Sequence, residues 1–141
     1  MPGSAAHVDK RQLERLSLFR YQLRRFLRFS EDAARDAGVT LQQYQLMLHT
    51  QGIAGRDWAS IGELAERLQV LPHAAVTLVT RCEEAGLVRR QPNADDRRLV
   101  EVHLTAKGRR CLDRVALRHE TELAALARVV SRAKAGTTDP G

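Results

Sequence analysis

A mainly helical fold with a small sheet (α+β) is what this sequence predicts, and three features predict it. Apolar residues recur at steps of three and four over long stretches, the spacing of one helix face. Two capping signatures, Thr40 with Gln43 and Ser60 with Glu63, mark helix starts. Between residues 87 and 104 the period drops to two around a polar turn, the mark of a hairpin.

The elements follow in order. Residues 1–9 are small and polar and are expected to be disordered. From Lys10, the positions Leu13, Leu16, Phe19, Leu23, Phe26, Leu27, Ala33, Ala34 and Ala37 trace one face of a long helix. Gly38 would end it, because the residue after a helix often needs a positive φ. The opposite face carries Arg20, Arg24, Arg28 and Arg35, with Arg28–Asp32 and Glu31–Arg35 spaced as i,i+4 pairs. Thr40 opens a second helix through about Ile53, residues 57–59 read as a short edge strand, and Ser60 opens a third helix over residues 61–68. Pro72 then suits the first turn of a fourth helix, where its missing N–H costs nothing, and Gly86 stops that helix after about Ala85. Residues 87–90 and 99–104 form the hairpin strands. Leu99, Glu101 and His103 alternate with Val100, Val102 and Leu104, a half-buried pattern. Residues 91–98 are a polar turn. Thr105 caps a last helix with apolar positions Leu112, Val115, Leu123, Leu126 and Val130, and His119 is the candidate position for a break in it.

Composition narrows the function. A chain of 141 residues suits one ordinary domain, or one extended by helices that pair with a second copy. Apolar residues at 43% exclude wholesale disorder, and aromatics at 4% argue against base-stacking platforms. There are 23 basic and 17 acidic residues, a formal charge of +6, and all but three of the cations are Arg. The planar Arg fork grips phosphate bidentately, so a polyanionic partner is favoured. Cys82 and Cys111 cannot frame a disulfide-built domain, and both read as small buried hydrophobes. With no CxxC pair and with His49, His73, His103 and His119 scattered, neither a metal nor a cofactor is expected. The chain begins without a signal-peptide pattern and has no apolar run of the length that crosses a bilayer. A cytoplasmic, nucleoid-associated protein with no membrane partner is the expectation.

Helix, short turn, helix and hairpin in this order make a winged helix-turn-helix. Its second helix fits the major groove of DNA by diameter, and the N-terminal half of that helix meets base edges. Ala75, Leu78, Val79 and Cys82 form the stripe expected to pack inward; His73, Ala74, Thr77 and Arg81 form the stripe expected to read DNA. At the hairpin tip, Asp96, Arg97 and Arg98 place cations where they can enter the narrow minor groove, with an acid beside them to hold a guanidinium. Arg89 and Arg90, on the preceding strand, are expected to add phosphate contacts.

Three stretches, residues 61–68 (IGELAERL), 78–90 (LVTRCEEAGLVRR) and 96–108 (DRRLVEVHLTAKG), resemble in order and spacing the MarR family of bacterial transcription regulators. The resemblance covers residues of about 10–134. It implies N- and C-terminal dimerisation helices, over 10–37 and 109–134, around a winged lobe at 38–108, with residues 135–141 a disordered tail. It also implies a homodimeric repressor on a palindromic operator and a crevice for a small aromatic or phenolic effector that relaxes DNA binding. Arg20, Tyr44, Gln45, His49 and Trp58 lie on the elements expected to bound that crevice. Two departures stand out. The family wing often doubles its Asp-x-Arg motif, whereas Asp95 stands here where the first Arg would be, so a weaker wing is expected. Leu71, Pro72 and Ala74 replace polar or basic residues at the start of the reading helix, which leaves the reading to His73, Thr77 and Arg81. These substitutions motivate the alternative of a winged-helix protein–protein module with weak or lost DNA binding. An enzyme has no support, for no nucleophile–base pair, phosphate loop or metal cluster is present in the sequence.

Overall fold

The computed structural model describes residues 6–135, and the expectations for residues 1–5 and 136–141 lie outside it. Eight elements run in the order α1 (Lys10–Asp36), α2 (Leu41–Gln51), β1 (Trp58–Ser60), α3 (Ile61–Leu68), α4 (Pro72–Glu84), β2 (Val88–Pro92), β3 (Val100–Leu104) and α5 (Ala106–Ala135). The described chain divides into two compact units, residues 31–118 and residues 6–30 with 119–135. No helix among the described residues is long and apolar enough to cross a membrane.

In the larger unit, local chemistry sets the helix ends. Both expected capping boxes form: Thr40 Oγ1 accepts from the Gln43 N–H at 3.1 Å, and Ser60 Oγ from the Glu63 N–H at 3.2 Å. Each N3 side chain returns the bond to its cap's N–H. Around these ends, Tyr44, Leu46, Met47, Leu64, Val79, Cys82, Leu87, Val88, Val102 and Val115 close one core with Ala33 and Ala34. The Glu31–Arg35 pair forms at 3.3 Å, but Asp32 turns to Arg35 at 3.8 Å rather than to Arg28.

The sheet is antiparallel in the order β1-β3-β2, so β1 is the edge strand expected. Trp58 pairs with His103, and Val88 with Leu104. The strict alternation expected of the last strand is not kept. Val100 is exposed, while Glu101 and Val102 are both buried. The reason is position: β3 is the middle strand, and Glu101 finds internal partners in His103 at 2.8 Å and Asn93 at 2.7 Å. The helix α5 passes through His119 unbroken.

In the smaller unit, α1 begins with a capping box of its own: Asp9 Oδ1 accepts from the Gln12 N–H at 2.8 Å, and Gln12 Oε1 from the Asp9 N–H at 2.9 Å. Ser30 and His119 meet in a buried hydrogen bond of 2.7 Å, and the rings of Phe26 and Phe29 stand edge-on to that imidazole. Much of the apolar stripe read from the sequence is uncovered in the single chain. Leu13, Leu16 and Leu27 are each about half exposed, as are Leu18, Tyr21 and Leu123.

Candidate nucleic-acid interface

The turn before α4 is held by backbone geometry. Gln69 adopts the left-handed conformation (φ 54°), and its amide side chain donates to the Glu66 carbonyl at 2.7 Å. The Val70 N–H reaches back to the Ala65 carbonyl, closing α3. Leu71 precedes α4 with no side-chain cap, and Pro72 fills the first helical position. Helix α4 then buries Ala75, Val79 and Cys82 completely, with Leu78 half-buried beside them. Burial raises the Cys82 thiol to about 11, as desolvation opposes the thiolate. The opposite stripe presents His73, Thr77 and Arg81 to solvent, with Ala74 half-buried. The Thr77 hydroxyl donates to the His73 carbonyl at 3.1 Å.

At the far end of α4, Gly86 takes a positive φ, and the start of α5 is locked to this turn. The Thr105 N–H donates to the Leu87 carbonyl, the Thr105 hydroxyl to the Gly86 carbonyl, and Lys107 Nζ to the Ala85 carbonyl at 2.8 Å. Thr105 Oγ1 also accepts from the Gly108 N–H, the cap expected of it. Gly108 lies so close to the α4–β2 turn that a Cβ there would stand 2.0 Å from the Leu87 carbonyl oxygen.

The wing is organised by a residue that sequence reasoning passed over. Asn93 Oδ1 accepts from the N–H groups of Asp95 and Asp96, at 3.0 and 2.8 Å, an Asx turn that shapes the tip. Its amide nitrogen donates to Glu101, and Glu101 pairs with His103. The first cause of Glu101's lowered pKa is that His103 hydrogen bond, with the Asn93 bond and the charge of Arg56 acting the same way against desolvation. Asn followed by Asp two and three residues on is the signal that could have found it. Asp96 Oδ1 accepts from the backbone N–H and from Nε of Arg98, at 2.9 and 3.2 Å. The Arg98 side chain stays 91% exposed, and Arg97 makes no ion pair or hydrogen bond among the described residues.

The two strand arginines separate. Arg89 is exposed, and its guanidinium donates to Gln91 at 2.6 Å. Arg90 turns back onto α4: it donates to Glu83 at 2.9 Å, to the Thr80 hydroxyl at 2.8 Å and to the Val76 carbonyl at 3.3 Å. Its backbone N–H is held by the same Glu83 carboxylate. This guanidinium, expected at a phosphate, is hydrogen-bonded within the lobe and ties β2 to α4.

The five residues expected around an effector crevice are dispersed in character. Tyr44 is a core residue, its phenol raised by burial. His49 is half-buried and its imidazole is lowered, first by desolvation and then by the charge of Arg67. Gln45 is half-buried, and Arg20 is exposed on α1 in the smaller unit. Trp58 lies on β1 with the Arg56 guanidinium 4.0 Å from its ring centroid, and Glu63 grips that same Arg56.

Residues 37–99, the span of the winged helix from α2 to the wing tip, match the model of the MarR family. Over that span the chain is similar to the MarR family. A segment of 48 residues is 38% identical to the HTH-type transcriptional repressor MdtR of Bacillus subtilis; it spans 34% of this chain and 31% of that relative's length. The fold is similar to AbsC, a MarR family transcriptional regulator from Streptomyces coelicolor (TM-score 0.69, 21% identity, 96% of this chain and 86% of AbsC covered). It is also similar to NadR in a complex with 4-hydroxyphenylacetate (TM-score 0.66, 23% identity, 95% and 89% covered). At those identities the likeness speaks for the fold.

Proposed function

We propose that this protein is a sequence-specific repressor of transcription that binds a palindromic operator as a homodimer. Helix α4 would lie in the major groove with His73, Ala74, Thr77 and Arg81 at base edges. The tip residues Arg97 and Arg98 would enter the adjacent minor groove, with Asp96 orienting Arg98. The observation that carries the reading is the joint exposure, on one lobe, of the His73–Thr77–Arg81 stripe and of a wing tip whose cations project free of the body. Arg89 is placed to meet a phosphate; Arg90 acts by position.

Pairing of two chains is supported by the smaller unit. Leu13, Leu16, Leu18, Tyr21, Leu27 and Leu123 are exposed there, more large apolar side chains than one short stretch ordinarily leaves to water. A second copy would cover them and present two reading helices to two half-sites. Release by a small aromatic or phenolic ligand is the effector reading, supported by the named ligand of NadR. Such a ligand acts only through unequal affinity for the DNA-competent and DNA-incompetent states.

The experiment is selection of bound duplexes from a random pool, followed by titration of the recovered site by fluorescence anisotropy. Recovery of a two-fold symmetric sequence that two chains bind supports the proposal. Recovery of no consensus at low salt overturns it and leaves the protein–protein module.

A further inference from the structure

Resting on the operator reading above, we infer that two exposed aliphatic side chains at the start of α4, Leu71 and Val76, read the 5-methyl groups of thymine. Each half-site would then carry thymine where this end of the helix meets the bases. Leu71 is 65% exposed and Val76 43% exposed, and Val70 in the preceding turn is 40% exposed. Aliphatic surface gathered in this way on an exposed face marks a contact site. By helical spacing Val76 lies next to Thr77 and between His73 and Thr80, outside the buried stripe of Ala75, Val79 and Cys82.

The charge around these side chains favours DNA over a protein as the occupant. No acid lies between Glu66 and Glu83, a stretch that holds Arg67, His73 and Arg81. The two bounding acids are engaged: Glu66 accepts from the Gln69 amide at 3.2 Å, and Glu83 pairs with Arg90 at 2.9 Å. Leu71 gives α4 no side-chain cap, so the first N–H groups of the helix keep their positive potential. Phosphates approaching this end meet no opposing carboxylate. Among the base edges of the major groove only the thymine methyl is apolar, so only it gains from contact with an aliphatic side chain. Donors are scarce on the same side. Leu71, Pro72, Ala74 and Val76 have no polar side-chain atom, and the Thr77 hydroxyl donates its proton to the His73 carbonyl at 3.1 Å. The lack of polar groups at Leu71, Pro72 and Ala74 therefore sets the chemistry of reading: hydrophobic contact in place of hydrogen bonds.

The test replaces the thymines of the selected duplex one at a time with deoxyuridine, which removes the methyl and keeps the base pairing. Affinity of the full chain is read by fluorescence anisotropy. The wild-type protein should bind roughly fourfold more weakly when deoxyuridine stands at one or two positions of each half-site, the effect of one methyl leaving an apolar contact. Leu71→Ala and Val76→Ala should each abolish the penalty at one of those positions. Both side chains are exposed, so the fold tolerates either change. Deoxyuridine without effect at every position, on a duplex still selected and bound, overturns the inference and leaves the operator reading standing. A penalty that both variants retain in full also overturns it and assigns the aliphatic face to a protein partner. Failure to select any duplex overturns the operator reading and this inference with it.

Discussion

Replacing Arg90 with methionine separates a phosphate contact from a positioning contact. Methionine keeps most of the stem and removes the guanidinium. The bonds to Glu83, Thr80 and the Val76 carbonyl are lost, while Glu83 keeps the backbone N–H of residue 90. The Arg90 side chain is 28% exposed and that of Glu83 is 41% exposed, so solvent screens the ion pair. The loss should cost about 1–2 kcal/mol of folding stability. That lowers Tm by about 3–8 °C for a chain of this size. Affinity for the selected duplex should fall, because the wing is no longer braced on α4. The discriminating assay is the salt dependence of the binding constant. Each phosphate contact contributes about 0.9 to the slope of log K against log salt. Arg90→Met should leave that slope unchanged, whereas Arg89→Met, with its exposed guanidinium, should reduce it by about 0.9. A drop of that size for Arg90→Met with an unaltered Tm would refute the reasoning.

Three further outcomes are expected. Gly108→Ala should destabilise the chain by about 1–3 kcal/mol in urea titration, although alanine is favoured over glycine in helices by about 1 kcal/mol, because the added Cβ would meet the Leu87 carbonyl oxygen; a gain in stability would contradict the close approach. The Arg97→Ala, Arg98→Ala double variant should weaken binding to the selected duplex by about 1–3 kcal/mol and shift the unfolding midpoint little, since neither side chain touches the core; anisotropy with unchanged affinity would remove the wing from the mechanism. Cys82 should resist iodoacetamide in the native state at neutral pH, because burial holds its pKa at about 11. The folded thiol keeps its proton where the unfolded one, near 9.0, gives it up, so stability should fall as pH rises from about 9 to 11; no loss of stability over that window would contradict the buried thiol.

What the sequence made legible was local. The capping boxes at Thr40 and Ser60, Pro72 at a first helical turn and Thr105 at the start of α5 each depend on residues within one turn of chain, and each forms. The inward stripe of α4 was equally readable, because helical periodicity alone separates it from His73, Thr77 and Arg81. The capping box at Asp9 and Gln12 was just as local, but it lies in a polar stretch that reads as disorder. What stayed hidden needs the third dimension. Arg90 is an alternating strand cation until β2 is laid beside α4, and only then does it face Glu83 and Thr80. Glu101 breaks the polar-outward pattern because Asn93 and His103 satisfy it, a compensation that no period of two reveals. Gly108 looks like a helix-weakening glycine until its distance to Leu87 is known.

The placement of the reading helix and the wing is tested most directly by cleavage from tethered iron chelates. Cys82 and Cys111 are buried, so a cysteine introduced at exposed residue 77 or 97 can be labelled selectively. On the selected duplex, the chelate on Thr77→Cys should cut with the strand offset of the major groove, and that on Arg97→Cys with the offset of the neighbouring minor groove. Cuts from the two positions in the same groove, or none above background from a protein that still binds, would contradict the account.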